Sequence, residues 1–415
     1  MTGEPEASEV GTTRRHFLGL DRLEGLKDRL QAHSASITQE QPPTLNPGLP
    51  RRDLIKHSAV LFGLSQLPTW LLTACLRKDP SMLRTATPAP TEPQEGDHTD
   101  ARFGFNTHLM PAQGEDSQNP KTLDVERFKR SIDVMRSAGL DSLRFNLFDH
   151  YIQQGSATDK FSLNEEMMRQ YDEAISYAHE QGMRITLATN VPEIYGGLPD
   201  EQYLKVAAEY FNTLGKRYAG KVNLWQIFNE SDAHDFKQYN VRPHVTPEYA
   251  QRLSRVLSVA RESVSTFDPN ARFSVNVSGW PLSDQATFDR WKVLFDVVHP
   301  QIDVLSLNLF PISIHEADGL GFVCRYFNDA YGKPIQVGEL GVSTGSTDFS
   351  EADQAEIIMH GIASLRRSPA KEVLIYEYSD QSHLSNQHEG NFGITDNPHI
   401  EDILSSMRPP TPASK

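Results

Sequence analysis

Two glutamates each close a short apolar stretch, and this placement suggests chemistry by a pair of carboxyl groups. Glu230 closes residues 224–230, and Glu339 closes residues 334–339. Two carboxyl groups can cleave a glycosidic bond: one protonates the leaving oxygen, and the other attacks or stabilises the oxocarbenium-like carbon. A glutamate at a strand end is by itself more often a surface group or a cap. The pair therefore predicts catalysis only if the fold brings both residues to one site.

Short β-rich stretches alternate with helical stretches from residue 101 to residue 408. The predicted strands are residues 102–106, 142–147, 184–189, 222–228, 273–277, 304–307, 334–339 and 373–378. Such alternation implies βαβ units and a parallel sheet, and eight units fit a (β/α)8 TIM barrel. An open doubly wound sheet is the alternative. It is disfavoured because no Gly-rich turn follows the first strand, as a dinucleotide-binding fold requires.

The helices between these strands have recognisable starts and faces. The first has an apolar face and ends at Gly139. A capping box is predicted at Ser162 and Glu165, and Thr246 with Pro247 predicts another helix start. A weaker helix is expected near residues 321–330.

The strands must bring the two glutamates to the same rim. Side chains alternate along a strand, so Glu339 is predicted on the face of Val337, and Glu230 on the face of Phe228. The fourth and seventh strands lie across a small barrel from each other. Their carboxyl ends therefore meet at the rim where barrel enzymes hold their active sites.

The pattern Trp225-x-x-x-Asn229-Glu230 in the fourth unit, with Glu339 in the seventh, resembles clan A retaining glycoside hydrolases. These include cellulases, mannanases and β-xylosidases, and the resemblance covers about residues 101–408. It implies that Glu230 is the general acid/base, that Glu339 is the nucleophile and that Asn229 holds the sugar 2-hydroxyl. It also places Arg144 beside the nucleophile, where it would keep Glu339 ionised. An ordinary salt bridge is the alternative for Arg144.

The same resemblance implies substrate contacts on the sixth and eighth strands. Tyr378 is predicted as the aromatic floor of the sugar subsite, with core packing as the alternative. Asn308 and Phe310 are predicted to line the site. The chain departs from the family at Phe310, because a tyrosine that touches the nucleophile is expected there. A phenylalanine cannot donate that hydrogen bond.

Further residues reach the predicted rim. They are Asn106, His108, Asn190 and Trp280, and each fits a structural role as well as a substrate contact. The histidines form no metal-binding pattern such as His-Glu-x-x-His. The glycines of residues 338–345 lack a P-loop signature. We therefore predict neither a metal nor an organic cofactor.

Charge and cysteine content limit the classes of partner. The formal net charge is −15, and it falls after residue 75, because residues 1–75 carry equal numbers of acidic and basic side chains. An acidic surface repels nucleic acids and anionic membranes. Cys75 and Cys324 are the two cysteines, too few for a disulfide framework or a thiolate zinc site.

The first hundred residues resemble targeting sequence rather than fold. Residues 51–75 combine paired arginines, a short apolar run and Cys75, which resembles a twin-arginine signal ending in a lipobox. We predict a disordered extension over residues 1–50, a flexible tether over 76–100 and a tail over 409–415. Lipidation at Cys75 would anchor the exported protein at the cell surface. The alternatives are a secreted or cytoplasmic protein whose amphipathic extension merely contains a cysteine.

The sequence thus predicts a retaining glycoside hydrolase that acts on an oligo- or polysaccharide. From the resemblance, the substrate is a β-linked glucan, mannan, xylan or related glycan. One alternative is a non-catalytic carbohydrate-binding barrel, which would retain the aromatic residues but lose a carboxylate. A barrel lyase or phosphate-handling enzyme is the other. It should have a metal cluster or a phosphate loop, for which the sequence provides no convincing pattern.

Overall fold

The structure is a computed structural model that describes residues 101–115, 120–152, 161–191, 198–232, 245–280, 285–345, 349–381 and 390–408. The predicted extension, export signal with Cys75, tether and C-terminal tail lie outside these residues. Within the described residues, no helix is both long and apolar enough to cross a membrane.

Eight parallel strands form a closed barrel in chain order. They are β1 (Arg102–Asn106), β2 (Ser142–Leu147), β3 (Arg184–Thr189), β4 (Leu224–Ile227), β5 (Phe273–Ser278), β6 (Val304–Leu309), β7 (Ile335–Leu340) and β8 (Ala370–Ile375). Closure is visible at Phe105 of β1, which pairs with Leu143 of β2 on one side and Ile375 of β8 on the other. The predicted (β/α)8 fold is confirmed.

Helices follow the strands in the βα order that the periodicity predicted. The described helices are α1 (Val125–Ser137), α2 (Asp149–Ile152), α3 (Glu165–Glu180), α4 (Asp200–Tyr218), α5 (Pro247–Ser265), α6 (Gln285–Val298), α7 (Ile314–Tyr331), α8 (Glu351–Arg366) and α9 (Ile400–Met407). Helix α7 is longer than the predicted residues 321–330. It begins after Ser313, whose hydroxyl accepts from the Glu316 N–H.

One predicted helix start is confirmed and another is wrong. Thr246 caps α5 through a hydrogen bond from the Tyr249 N–H to its side-chain oxygen. The prediction that Ser162 caps α3 is wrong. Instead α3 begins at Glu165, and Asn164 accepts hydrogen bonds from the next turn through its amide oxygen. Asparagine is as good an N-cap as serine, so the two sequence signals compete.

The main hydrophobic core lies between the sheet and the helices. Phe145 of β2 points outward and meets Phe128 of α1 edge to face, with ring centroids 5.4 Å apart. Trp225 of β4 and Val337 of β7 are likewise fully buried in this core. Burying each such side chain contributes about 1.5–3 kcal/mol. This layer supports the barrel from outside, so the interior need not be apolar.

The interior of the barrel is polar. Gln336 of β7 donates through Nε2 to the Thr186 hydroxyl at 2.9 Å, and its Oε1 accepts from the Ser306 hydroxyl at 2.9 Å. Barrels of this class are more usually filled by branched apolar residues. Buried polar groups are tolerated when they hydrogen-bond one another, as they do in this network.

A β-bulge in β7 decides the direction of Glu339. Leu307 of β6 pairs with Val337, but the next residue, Asn308, pairs with Glu339. Gly338 is therefore an extra residue that shifts the alternation of side chains by one position. The prediction that Glu339 shares the face of Val337 is wrong, because Val337 packs outward while Glu339 turns inward.

Two strands end earlier than predicted. β4 stops at Ile227 rather than at residue 228, and β8 stops at Ile375 rather than at residue 378. After Ile375 the Tyr376 N–H still donates to the Leu340 carbonyl of β7, and the Tyr378 N–H to the Asn106 carbonyl of β1. Between them, the Glu377 N–H donates instead to the Phe392 carbonyl.

Replacing Gly338 with alanine should destabilise the barrel. The added Cβ would lie 2.6 Å from Ser306 Oγ and 2.9 Å from Asn308 Oδ1. We expect a loss of about 1–3 kcal/mol in the free energy of unfolding, measured with urea. Gly319→Ala in α7 is the control, since its Cβ would meet only the Trp280 ring at 3.5 Å. It should gain up to about 1 kcal/mol. Equal effects of the two substitutions would contradict this account.

Candidate active site

A buried arginine, Arg144 of β2, connects the side chains at the C-terminal rim. Its Nε donates to Gln226 Oε1 at 2.9 Å, and its Nη2 donates to Asn229 Oδ1 at 2.6 Å. Its Nη1 donates to Asn106 Oδ1 at 2.6 Å and lies 2.7 Å from Glu339 Oε1. The planar guanidinium thus fixes groups from β1, β4 and β7 in one plane.

Glu339 is a buried carboxylate beside this positive charge. Its side chain is only 5% exposed, and its Oε1 faces Arg144 Nη1. An adjacent guanidinium favours the ionised carboxylate and holds it in one orientation. The expected contact between these two residues is therefore present in the structure.

Glu230 lies in a tight turn that follows β4. Phe228 and Glu230 have φ angles of +66° and +48°, in the left-handed region that residues other than glycine seldom adopt. Asn276 of β5 holds this turn: its Oδ1 accepts the Glu230 N–H at 2.6 Å, and its carbonyl accepts the Ser231 N–H at 3.0 Å. Such backbone strain is typical of functional sites and persists only where neighbours enforce it.

Asn308 stands between the two glutamates. Its Nδ2 donates to Glu230 Oε1 at 3.2 Å, and it pairs with Glu339 across the β6–β7 ladder. Its side chain is fully buried. Asn308 is thus a side-chain partner of Glu230 and a ladder neighbour of Glu339. Glu339 faces the guanidinium of Arg144, whereas an oxygen of Glu230 faces a neutral donor.

The amide of Asn229 is oriented by three hydrogen bonds. Its Oδ1 accepts from Arg144 Nη2, from Asn276 Nδ2 at 3.0 Å and from Gln226 Nε2 at 3.4 Å. Its backbone N–H donates to Asn190 Oδ1 at 3.2 Å. Because the oxygen is engaged by the protein, the Nδ2 group is directed away from these donors and can serve a ligand.

The aromatic residue that β8 brings to the rim is Tyr376, and this corrects the prediction for Tyr378. Tyr378 packs edge-on against Phe105, with centroids 5.6 Å apart, and Phe105 belongs to the outer core. Tyr376 instead packs against Phe310 at 6.1 Å and against Phe392 at 5.2 Å.

A third carboxyl group, Glu377, was not identified from the sequence. It is buried, and both of its oxygens accept from Gln381 Nε2, at 2.8 and 2.9 Å. Burial raises the pKa of Glu377 well above its usual range, and the negative charge of Glu339 raises it further. His108 Nε2 lies 3.9 Å from Glu377 Oε2. Glu377 lies beyond the end of β8 at Ile375, so strand alternation provided no signal for it.

The other predicted rim residues are placed differently from one another. His108 is buried between the rings of Phe148 and Tyr376, at 5.5 and 6.1 Å. Trp280 is partly buried and packs towards Gly319 of α7. Asn106 donates through Nδ2 to the Gly338 carbonyl at 2.9 Å, and its Oδ1 accepts from Arg144. It therefore holds both the bulge and the arginine.

The described residues contain neither a metal-binding cluster nor a reactive cysteine. Among the described residues, no group of three or more histidine, cysteine, aspartate or glutamate side chains could hold a metal ion. Cys324 is buried in the outer core, and burial raises the pKa of its thiol to about 12. Such a thiol is unreactive at neutral pH.

Asp232 anchors the segment that carries Glu230. Its Oδ1 accepts the Ser278 N–H at 2.8 Å, and its Oδ2 accepts from Trp291 Nε1 at 2.9 Å. Burial raises the pKa of Asp232 to about 7, and the charge of Glu230 also raises it. The Ser278 N–H and Arg290 oppose this shift.

The raised pKa of Asp232 predicts that stability depends on pH. Between about pH 4 and pH 7 the folded protein holds a proton on Asp232 that the unfolded chain has released. The free energy of unfolding should therefore fall with rising pH, by up to about 1.4 kcal/mol per pH unit from this group. Urea unfolding from pH 4.5 to 7.5 should show a shallower decline for Asp232→Asn. Parallel curves for the two proteins would refute the assignment.

Comparisons with known proteins identify the fold. No protein-family model matches the sequence, and no curated protein matches it either. Solved structures do match. The hyperthermophilic β-glucosidase from Pyrococcus furiosus is 11% identical with a TM-score of 0.57, and the match covers 76% of this chain and 97% of that one.

Two further structures give similar values. Fpglu1 from Fervidobacterium pennivoraus is 14% identical with a TM-score of 0.57, over 74% of this chain and 95% of that one. A family 1 β-glucosidase from the fungus Humicola insolens, in complex with glucose, is 14% identical with a TM-score of 0.55, over 74% of this chain and 98% of that one. At these identities the similarity shows the fold alone: the chain forms the same (β/α)8 barrel as these proteins.

Proposed function

We propose that the protein is a retaining glycoside hydrolase that cleaves β-linked glycans. The observation that carries this proposal is the pair of carboxyl groups at one rim. Asn308 of β6 donates to Glu230 Oε1 and pairs with Glu339 in the β6–β7 ladder, and Arg144 Nη1 is 2.7 Å from Glu339 Oε1. The similarity in fold to proteins described as β-glucosidases adds support.

In the first step, the Glu339 carboxylate attacks the anomeric carbon while Glu230 protonates the departing oxygen. The glycosidic bond breaks, and an ester between the sugar and Glu339 forms. In the second step, Glu230 takes a proton from water, the water oxygen attacks the anomeric carbon, and the ester bond to Glu339 breaks. Two inversions leave the anomeric configuration unchanged.

The neighbours of each glutamate suit these roles. Arg144 favours an ionised Glu339 before attack, and its bonds to Asn106, Asn229 and Gln226 keep the guanidinium in place when the ester removes that negative charge. Glu230 must carry a proton at the start, and the neutral amide of Asn308 on its Oε1 is compatible with this.

The substrate class follows from chemistry and fold similarity together. Asn229, with its amide oxygen engaged by Arg144, can donate to a sugar hydroxyl through Nδ2. Tyr376 and Phe310 form an aromatic cluster near β8 against which an apolar sugar face can stack. We propose an oligo- or polysaccharide with β-linked glucose, mannose, xylose or related units as the substrate. Nucleic acid does not fit a chain with a net charge of −15.

Substitution of either glutamate should abolish most of the hydrolysis. For 4-nitrophenyl β-glycosides, we expect Glu230→Gln to lower kcat by about 10²–10⁴-fold, because no base then activates the water that cleaves the ester. Glu339→Gln should lower it by at least about 10⁴-fold, because no covalent intermediate can form. Glu126→Gln, at an exposed position on α1, is the matched control and should leave kcat/KM unchanged.

Chemical rescue distinguishes the two roles. Azide should restore turnover of an activated substrate to Glu230→Ala with formation of the β-glycosyl azide, and to Glu339→Ala with formation of the α-azide. Anomeric proton couplings in NMR spectra identify each product. Full activity in either glutamine variant would overturn the mechanism. Binding of the glycan without hydrolysis by the wild type would favour the non-catalytic alternative.

We also propose that the protein is exported by the twin-arginine route and anchored by a lipid on Cys75. The support is the order of Arg51-Arg52, an apolar run and residues 72–75 in the sequence. In cells fed labelled palmitate, wild type and Cys324→Ala should be labelled, and Cys75→Ala should not. Cys324 is the matched control because it is buried in the barrel. Labelling of Cys75→Ala at the wild-type level would disprove the anchor.

A further inference from the structure

A cavity lies at the end of the barrel opposite to Glu230 and Glu339. Its volume is about 100 Å³, and its lining includes Arg102, Arg184, Arg272, Val304, Gln336 and Lys371. Each of these is among the first two residues of its strand or directly precedes it, which places the cavity at the N-terminal end of the barrel. About 15 Å³ suffices for one water molecule, so this space can hold a polyatomic ligand.

The cavity is cationic, in contrast to the rest of the chain. Its charged lining residues are Arg102, Arg184, Arg272, Lys371 and Glu372. Asp141, outside the lining, pairs with Arg102 at 2.9 Å. After both carboxylates are counted, a surplus of two positive charges remains, although the chain as a whole has a net charge of −15. Like charges gathered around a cavity repel one another unless an anion separates them.

One of these cations has a buried donor without a partner. The Nε atom of Arg184 is inaccessible to solvent and has no hydrogen-bond partner within the described part of the chain. By strand alternation, Arg184 shares the inward face of β3 with Thr186, whose hydroxyl accepts from Gln336 Nε2. A buried guanidinium donor is costly to leave unsatisfied, so an acceptor is expected beside this lining residue.

The polar network above the cavity closes its inner end. Gln336 Nε2 donates to Glu372 Oε2 at 2.6 Å as well as to Thr186. The single carboxylate of the lining is therefore held by the barrel interior. Among the described residues, neither Arg272 nor Lys371 takes part in an ion pair that would neutralise it.

We propose that this cavity binds a small oxyanion, such as inorganic phosphate, with Arg184 and Arg272 as its main ligands. The guanidinium group offers paired N–H donors that match the oxygens of phosphate or a carboxylate. Strands of six residues at about 3.3 Å per residue separate this site from the rim. The proposal is thus independent of glycan cleavage, and an anion that binds only the folded barrel would stabilise it.

Phosphate binding to the full chain tests the proposal. Thermal unfolding in 10 mM phosphate should occur at least about 3 °C higher than in sodium chloride of equal ionic strength. Isothermal titration with phosphate should give a saturable signal of one site per chain. Absence of both signals in the wild type would overturn the proposal.

Variants locate the site. Arg184→Met and Arg272→Met should each weaken phosphate binding by at least about tenfold, the effect of one lost charge-assisted hydrogen bond. Arg130→Met is the matched control, because Arg130 is exposed on α1 and does not line the cavity. The phosphate affinity of Arg130→Met should equal that of the wild type. If Arg184→Met does not fold, the phosphate affinity of Arg272→Met decides the test. Arg272 is exposed, so its replacement should not disturb folding. Undiminished binding in Arg272→Met would place the anion elsewhere.

Discussion

The arrangement of the rim depends on the burial of one positive charge. A guanidinium taken out of water is strongly destabilising unless acceptors surround it. Arg144 therefore requires Asn106, Gln226, Asn229 and Glu339 at their present positions, and these residues come from three other parts of the sheet. The same requirement explains why the interior of this barrel is polar. An apolar interior would leave the arginine without partners.

Departures from regular strand geometry direct the two glutamates. The bulge at Gly338 turns Glu339 inward to Arg144, and the left-handed residues after β4 bring Glu230 to Asn308. Both departures sacrifice regular ladder hydrogen bonds or favourable backbone angles. Side chains on other strands compensate: Asn276 of β5 receives the N–H of Glu230, and Asn106 of β1 donates to the carbonyl of Gly338. The positions of both glutamates thus depend on polar side chains from other strands.

The interior of the barrel joins two ends of opposite character. Carboxyl groups, including Glu377, gather at the C-terminal rim, and cations such as Arg184 gather at the N-terminal end. Between them, Gln336 hydrogen-bonds Thr186 and Ser306 in the middle of the barrel. Because all eight strands join in one closed barrel, each end of the barrel combines residues from every strand. Charges distant in the chain are therefore close in space.

The sequence by itself determined the eight-unit barrel, the helix start at Thr246 and the two glutamates at the ends of strands four and seven. These features depend on local periodicity and composition, which neighbouring residues carry. Tertiary structure alone decided that Gly338 is a bulge, that Tyr376 rather than Tyr378 packs beside Phe310, and that Glu377 and Asp232 lie buried near the site. Register and strand ends depend on pairing with strands distant in sequence, so alternation within one strand cannot reveal them.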